Sequence, residues 1–372
     1  MQEQHEEQHQ HAYKKTRIST NTEVIQYNEK DYTRNNEAIR TSSLTEPTIH
    51  LTGHKGSVYS LAFDRRGEIL CSGSFDMTCM LWNVSSGNCE NFNMLYPNHK
   101  NAVLDVKWSH DSEFIATASA DKTIGWYDSY TCQRIKRFMN HDGIVNAIDT
   151  PGVSSTDSSA SSNSSSLIAS ASDDGTARLW DARLSSRDHL ISTFEHEFQV
   201  TAVAYAYDIH QVFTGGIDND IYIWDTRYND NNKSTKPLYV MKGHTDTITS
   251  LSLHPKGSTY ILSHSMDGTI RSWDIRPYNN KPSRQEKTFL GSTTDAQKGL
   301  LNCAWSHDGG MVTGGSSDRY VHIWDEFTGN ELYTLPGHAG CVNSVIFHPM
   351  ENVIASASSD KTIFVGELAS TM

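Results

Sequence analysis

From Pro47 onward, hydrophobic and polar positions alternate in short runs broken by Gly, Asp, Asn and Ser, the period-two signature of half-buried strands. "SVYSLAFD", "GEILCSGS" and "TCMLWNV" predict three successive strands, and a fourth completes the unit. The unit then repeats. "FDMTCMLWN", "ADKTIGWYD", "DDGTARLWD", "IDNDIYIWD", "MDGTIRSWD", "SDRYVHIWD" and "SDKTIFVGE" share an Asp, a strand start that is usually Thr, and an ending that is usually Trp-Asp. Their turn aspartates are Asp76, Asp121, Asp174, Asp218, Asp267, Asp318 and Asp360, spaced from 42 residues (Asp318 to Asp360) to 53 (Asp121 to Asp174). Repeats on this scale bury their faces against one another, so seven copies make one architecture rather than seven domains.

A second landmark precedes most copies: Gly-His or a variant, at His54, His99, His141, His196, His244 and His338. In copies one, two, four and seven this His stands 28 residues before the Trp position, which fixes a common register. Seven four-stranded units predict an all-β, seven-bladed β-propeller over residues 47–368. On these motifs the chain resembles the WD-repeat family. The last copy stops at its third strand, "TIFVGEL", whereas "PTIHLTGH" has no blade of its own; residues 48–52 are therefore expected to complete the seventh blade. Residues 1–46 are polar, lack periodicity and read as a disordered tail.

The resemblance implies a hydrogen-bonded chain of His, Ser or Thr, turn Asp and Trp within each blade: His54, Ser72, Asp76 and Trp82; His141, Ser170, Asp174 and Trp180; His196, Thr214, Asp218 and Trp224; His244, Ser263, Asp267 and Trp273. The physical need is general, because a buried indole N–H requires an acceptor and a buried imidazole requires two partners. Asp218 and Asp220 look like an acid pair. In register, Asp218 is the turn aspartate expected to bond His196, and Asp220 takes the usual Thr position. Three copies depart from the pattern: Tyr127 replaces Trp, with Trp126 displaced onto the other strand face; Ala296 and Gly314 replace His and Ser/Thr; Gly366 replaces Trp. Those blades are expected to rely on packing.

Composition narrows the function. The chain has 372 residues, 37% of them hydrophobic, and a formal charge of −13, which argues against a broad nucleic-acid-binding surface. The N-terminus has no signal-peptide core, and no run is long enough to span a membrane. Cys71, Cys79, Cys89, Cys132, Cys303 and Cys341 are scattered without a C-x-x-C pair, as expected of reduced thiols in a cytosolic or nuclear protein. No phosphate loop, nucleophile elbow or H-E-x-x-H helix occurs, so no catalytic, metal or cofactor site is assigned. His5, His9 and His11 could hold a transition metal weakly or belong to a solvated tail.

Function is therefore expected in loops. Tyr59, Phe75, Phe198, Ile217, Asn219 and Met266 are candidate partner contacts on the rim that carries the turn aspartates, the alternative being burial against neighbouring loops. The Ser-rich insertion Ser154–Ser166, the segments 228–237 and 278–287, and the segment 292–298 lengthen loops; the first is either a phosphorylatable element or a neutral expansion. More narrowly, "GGIDNDIYIWD", "SMDGTIRSWDIRPY", "LPGHAGCVNSVIFHP" and the Trp-less "SASSDKTIFVGEL" resemble the WD-repeat subunits of the U5 small nuclear ribonucleoprotein. This resemblance implies a noncatalytic nuclear scaffold in pre-mRNA splicing, held among the U5 scaffold protein, helicase and GTPase. U5 RNA would be reached indirectly, with no membrane and no small-molecule substrate. Two alternatives stay open. Three Trp-Asp-x-Arg motifs, ending at Arg183, Arg227 and Arg276, suit a substrate receptor of a cullin-type ubiquitin ligase. The rim would also suit a peptide- or histone-tail reader.

Overall fold

The computed structural model describes residues 42–368 apart from 86–90, 153–165, 186–187, 208–209, 228–232, 235, 258, 279–282 and 295–298. His5, His9, His11, Cys89, Ala296, nearly all of the Ser-rich insertion and much of the other three loop extensions lie outside the described residues. Among the described residues the chain forms seven antiparallel sheets, one of them extended by a short parallel strand. Each sheet is a blade. In blade one, the strands Val58–Phe63, Ile69–Ser74, Cys79–Asn83 and Asn91–Met94 pair in sequence order.

The first strands of the blades are Val58–Phe63, Val103–Trp108, Val145–Asp149, Val200–Tyr205, Ile248–Leu253, Cys303–Trp305 and Val342–Phe347. Each touches the first strand of the next blade, and the last touches the first, so they line the axis of a closed ring. Both faces of a blade are covered by its neighbours, which explains why these strands are apolar on both sides. The core is accordingly divided among the interfaces. One cluster joins Leu70, Met80 and Trp82 of blade one to Val353, Ala355 and Ile363 of blade seven. Another joins Ile124 and Trp126 of blade two to Ile168 and Trp180 of blade three. Trp126, displaced by one residue, therefore faces blade three, while Tyr127 faces blade one.

The ring closes with the strand Thr48–Thr52, which pairs antiparallel with Thr362–Glu367 and places Leu51 opposite Ile363. Contacts begin earlier than the expected boundary at Pro47. Leu44 is buried in the cluster between blades one and seven, and the Ser42 hydroxyl donates to Glu367 at 2.7 Å. Ser42–Glu46 thus packs on the propeller, because one apolar residue among polar ones suffices to seat a short segment that carries no periodicity of its own.

A β-bulge near the start of the first strand recurs in six blades. The extra residues are Tyr59, Leu104, Asn146, Thr201, Thr249 and Asn343, and all of them line an axial cavity of about 220 Å³. Four of them donate to a backbone carbonyl of the next blade: Asn146 to Val200 (3.0 Å), Thr201 to Ile248, Thr249 to Leu301 (2.8 Å) and Asn343 to Val58 (2.7 Å). This belt ties blades three to six in series and blade seven to blade one. Tyr59 and Leu104 interrupt it.

Cys71, Cys79, Cys132 and Cys303 are buried free thiols, and Cys341 is partly buried with its thiol 3.7 Å from the Ser317 hydroxyl. Burial pushes the Cys303 thiol up to about 12, which keeps it protonated and unreactive.

Candidate functional site

The residues that look like chemistry are the His–Asp pairs, and their wiring shows what they do. In blade one His54 Nδ1 lies 3.0 Å from Asp76 Oδ2, and His54 Nε2 lies 2.7 Å from Ser72 Oγ, which accepts the Trp82 indole N–H at 2.9 Å. A carboxylate can only accept, so Nδ1 carries the hydrogen and Nε2 takes the serine proton. Asp76 also accepts from Lys55 N and Thr78 Oγ1. Blade three repeats the wiring with His141, Asp174, Ser170 and Trp180, and blade five with His244, Asp267, Ser263 and Trp273. Burial alone would raise these carboxyls. Hydrogen bonds from His, Thr and backbone N–H outweigh it and hold Asp76, Asp174 and Asp267 well below the usual carboxylate range. An acid with every lone pair committed to its own fold has no proton-transfer role left.

Blades two and seven keep the His–Asp–hydroxyl part as His99, Asp121 and Thr117, and as His338, Asp360 and Ser356. Tyr127 sends its hydroxyl to the Pro97 carbonyl at 3.0 Å. In blade seven Gly366 leaves the Trp space to Phe364, two residues earlier on the same strand face, which lies 4.8 Å from His338 and stacks on His50.

Blade six, expected to rely more on packing than on the repeated network, carries a polar network of a different composition. His322 bridges Asp318 (2.8 Å) and Glu331 (2.6 Å) while stacked on Trp324, whose indole donates to the Leu290 carbonyl. His264 of blade five is fully buried and reaches the Leu301 carbonyl and Ser292, beside the segment that lacks Gly-His. Polar groups that lose one partner in a dry interface must find another, so the network is rerouted rather than dropped.

Blade four departs where the sequence predicts conformity. Thr214 bonds both His196 (3.1 Å) and Trp224 (2.7 Å), yet the Asp218 side chain bonds Tyr222 instead of His196, and its Oδ1 is buried without a partner. Asp220 accompanies the change. Where Thr78, Thr176 and Thr269 donate a hydroxyl to their turn aspartate, Asp220 offers a second negative charge. Burial raises the Asp218 carboxyl and Asp220 raises it further, and burial holds His196 down to about 4.

A stability contrast follows. Asp267→Ala orphans four donors and is expected to cost about 2–3 kcal/mol, whereas Asp218→Ala is expected to change stability by less than about 1 kcal/mol. Urea unfolding of the two variants checks this, and equal losses would contradict the rewiring of blade four.

On the rim, Phe75 is 59% exposed and meets edge-on, at 6.4 Å, Tyr59, which lines the axial cavity. Phe198 is 53% and Ile217 43% exposed on adjoining loops, and Asn219 takes the left-handed conformation at φ 66°. Met266 is partly buried rather than an open anchor. Arg183, Arg227 and Arg276 each clasp the aspartate two residues earlier, at 2.8, 2.7 and 2.5 Å from Asp181, Asp225 and Asp274. The Trp-Asp-x-Arg motifs thus close their own strand ends. Reading the sequence missed Tyr222, His264, His322 and the belt; the recurring Val/Ile followed by Asn or Thr at 145–146, 200–201, 248–249 and 342–343 is the signal for the belt.

The "WD domain, G-beta repeat" family model matches seven times, at residues 45–83, 90–128, 132–181, 188–225, 235–274, 284–325 and 329–365. The chain is 44% identical to the U5 small nuclear ribonucleoprotein 40 kDa protein of Dictyostelium discoideum over 88% of this chain and 86% of that protein. The chain belongs to the WD-repeat family, in the group of the U5 40 kDa proteins. The Homo sapiens protein of the same name is 42% identical over the same shares, and the pre-mRNA-splicing factor cwf17 of Schizosaccharomyces pombe is 38% identical over 88% of this chain and 90% of its own. In this WD-repeat chain the identity spans the ring, so the rewired blades four and six belong to the matched region and are not additions to it.

Proposed function

We propose that the chain is a noncatalytic protein-interaction scaffold of the U5 small nuclear ribonucleoprotein, acting in pre-mRNA splicing in the nucleus. The observation that carries this reading is identity of 38–44% over 88% of the chain to proteins named for U5 or for splicing. The wiring supports a scaffold, because the His–Asp pairs that could suggest hydrolysis are bound into their blades. The partners in this reading are the U5 scaffold protein, helicase and GTPase subunits. A net charge of −13 favours attachment through protein over a direct grip on RNA. Arg183, Arg227 and Arg276 each pair with the aspartate of their own strand end, a structural role that favours the scaffold reading over the ubiquitin-ligase alternative.

Tagged chain purified from nuclear extract is expected to recover U5 RNA together with U5 proteins, and to lose the RNA when those proteins are stripped by salt. Recovery of ligase adaptors without U5 RNA would overturn the assignment.

A further inference from the structure

The rim is not electrostatically uniform. Where the turn aspartates of blades one, three and five accept a hydrogen bond from their histidines, blade four leaves Asp218 without that imidazole donor and sets Asp220 beside it. Glu197 stands exposed on the preceding loop, and Asp173 crowns the turn of blade three. That turn is joined to the loop by His196 N donating to the Gly175 carbonyl at 2.9 Å. The cation that meets the group is Lys242, 2.9 Å from Asp220. Within this acidic frame sit Phe198 and Ile217, two exposed apolar side chains whose loops are locked by Ile217 N donating to the Gln199 carbonyl at 3.2 Å.

Water is a poor partner for this combination. The neighbouring carboxylates of Glu197, Asp218 and Asp220 gain from an approaching cation, and exposed Phe and Ile gain from burial. The loop geometry is already fixed by backbone hydrogen bonds, so little ordering entropy opposes docking. Sectors one, two and seven carry Lys55, Lys100, Lys122 and Lys361 on the equivalent loops, which gives the ring a direction that a charged partner can read.

We propose that the sector formed by Glu197, Phe198, Ile217, Asp218 and Asp220 docks a segment of a partner protein that carries lysine or arginine next to an apolar side chain. The apolar group packs between Phe198 and Ile217, while the cation lies over the blade-four turn beside Asp218 and Asp220, where His196 makes no hydrogen bond to the turn aspartate. The proposal deepens the scaffold reading and rests on it only for the identity of the assembly, not for the chemistry of the surface.

The test places the photo-crosslinker p-benzoylphenylalanine at position 198 of the full chain, expressed in cells and irradiated before purification, with the same group at the exposed Tyr130 as a control. The expected crosslink from 198 falls on a protein segment with at least two lysines or arginines, absent from the Tyr130 sample. A Glu197→Lys/Asp220→Lys chain is expected to lose that crosslink at least tenfold while melting within a few degrees of the parent. If the double variant unfolds, the single Glu197→Gln variant is expected to lose it about threefold. Crosslinks to RNA, to a segment without basic residues, or of unchanged yield in the charge variants overturn the proposal. Recovery of U5 RNA by the parent chain is scored separately. A basic crosslink without U5 RNA sinks the splicing assignment and leaves the docking surface standing, and the reverse outcome does the opposite.

Discussion

A chain that begins at Gly53 rather than Ser42 is expected to melt about 10 °C lower and to associate on standing. The shorter chain lacks the outer strand of blade seven, whose five residues pair with Thr362–Glu367. Leu44 and Leu51 leave the core with it, each 4% exposed in the intact ring, and at about 2–3 kcal/mol per buried leucine the loss exceeds the usual margin of a single site. Phe364 also loses His50, which stacks on it at 4.6 Å, and the freed edge of Thr362–Glu367 becomes a template for another chain. Leu51→Ala measures the packing part alone, with an expected cost of about 2–4 kcal/mol. Calorimetry of the three chains, with gel filtration for the first, checks these values. An unchanged melting temperature in the truncated chain would show that the ring does not depend on this strand.

Acid is expected to destabilise the propeller in two stages, the first of them well above the carboxylate range. Burial holds His196 and His264 down to about 4, against about 6.5 for an exposed histidine. Between those values the unfolded chain binds protons that the folded chain refuses, so stability falls as pH drops from about 6.5 to 4. At about 1.4 kcal/mol per pH unit, His264 alone removes about 3 kcal/mol by pH 4. His141, His244 and His338 are also held down by burial and add to the slope. The second stage belongs to Asp76, Asp121, Asp174, Asp267 and Asp360, which are held low, Asp360 at about 2. Their contribution is present above the unfolded carboxylate value and is lost as pH falls below about 4 toward their folded values. Melting temperatures are expected to decline between pH 7 and 5 and to fall faster below 4. A flat profile from 7 to 5 would contradict the neutral, buried state of these histidines.

Much of this arrangement is legible in the chain because a repeat tests itself seven times. A single His–Asp–Trp spacing means little, but the 28-residue interval recurring from His54 to Trp82 and from His196 to Trp224 leaves one register for the strands. The closing strand is legible for a related reason, since a blade that stops at its third strand and an orphan apolar run at the other end need each other. The wiring of individual blades is less so. His196, Thr214, Asp218 and Trp224 all stand at their motif positions, yet Asp218 bonds Tyr222 rather than His196. His322 and His264 lie outside the repeated landmarks and so carry no sequence mark of their roles, which arise from what the neighbouring blade lacks.

The sequence by itself determined the number of blades, their strand order, the joining of the two ends and the family, because alternation and spacing are local properties that survive in a linear string. Only the tertiary structure decided which turn carboxylates bond the histidine of their own blade and which find other partners. That outcome depends on charges and donors brought within a few ångströms from separate strands and loops, at distances that spacing along the chain does not encode.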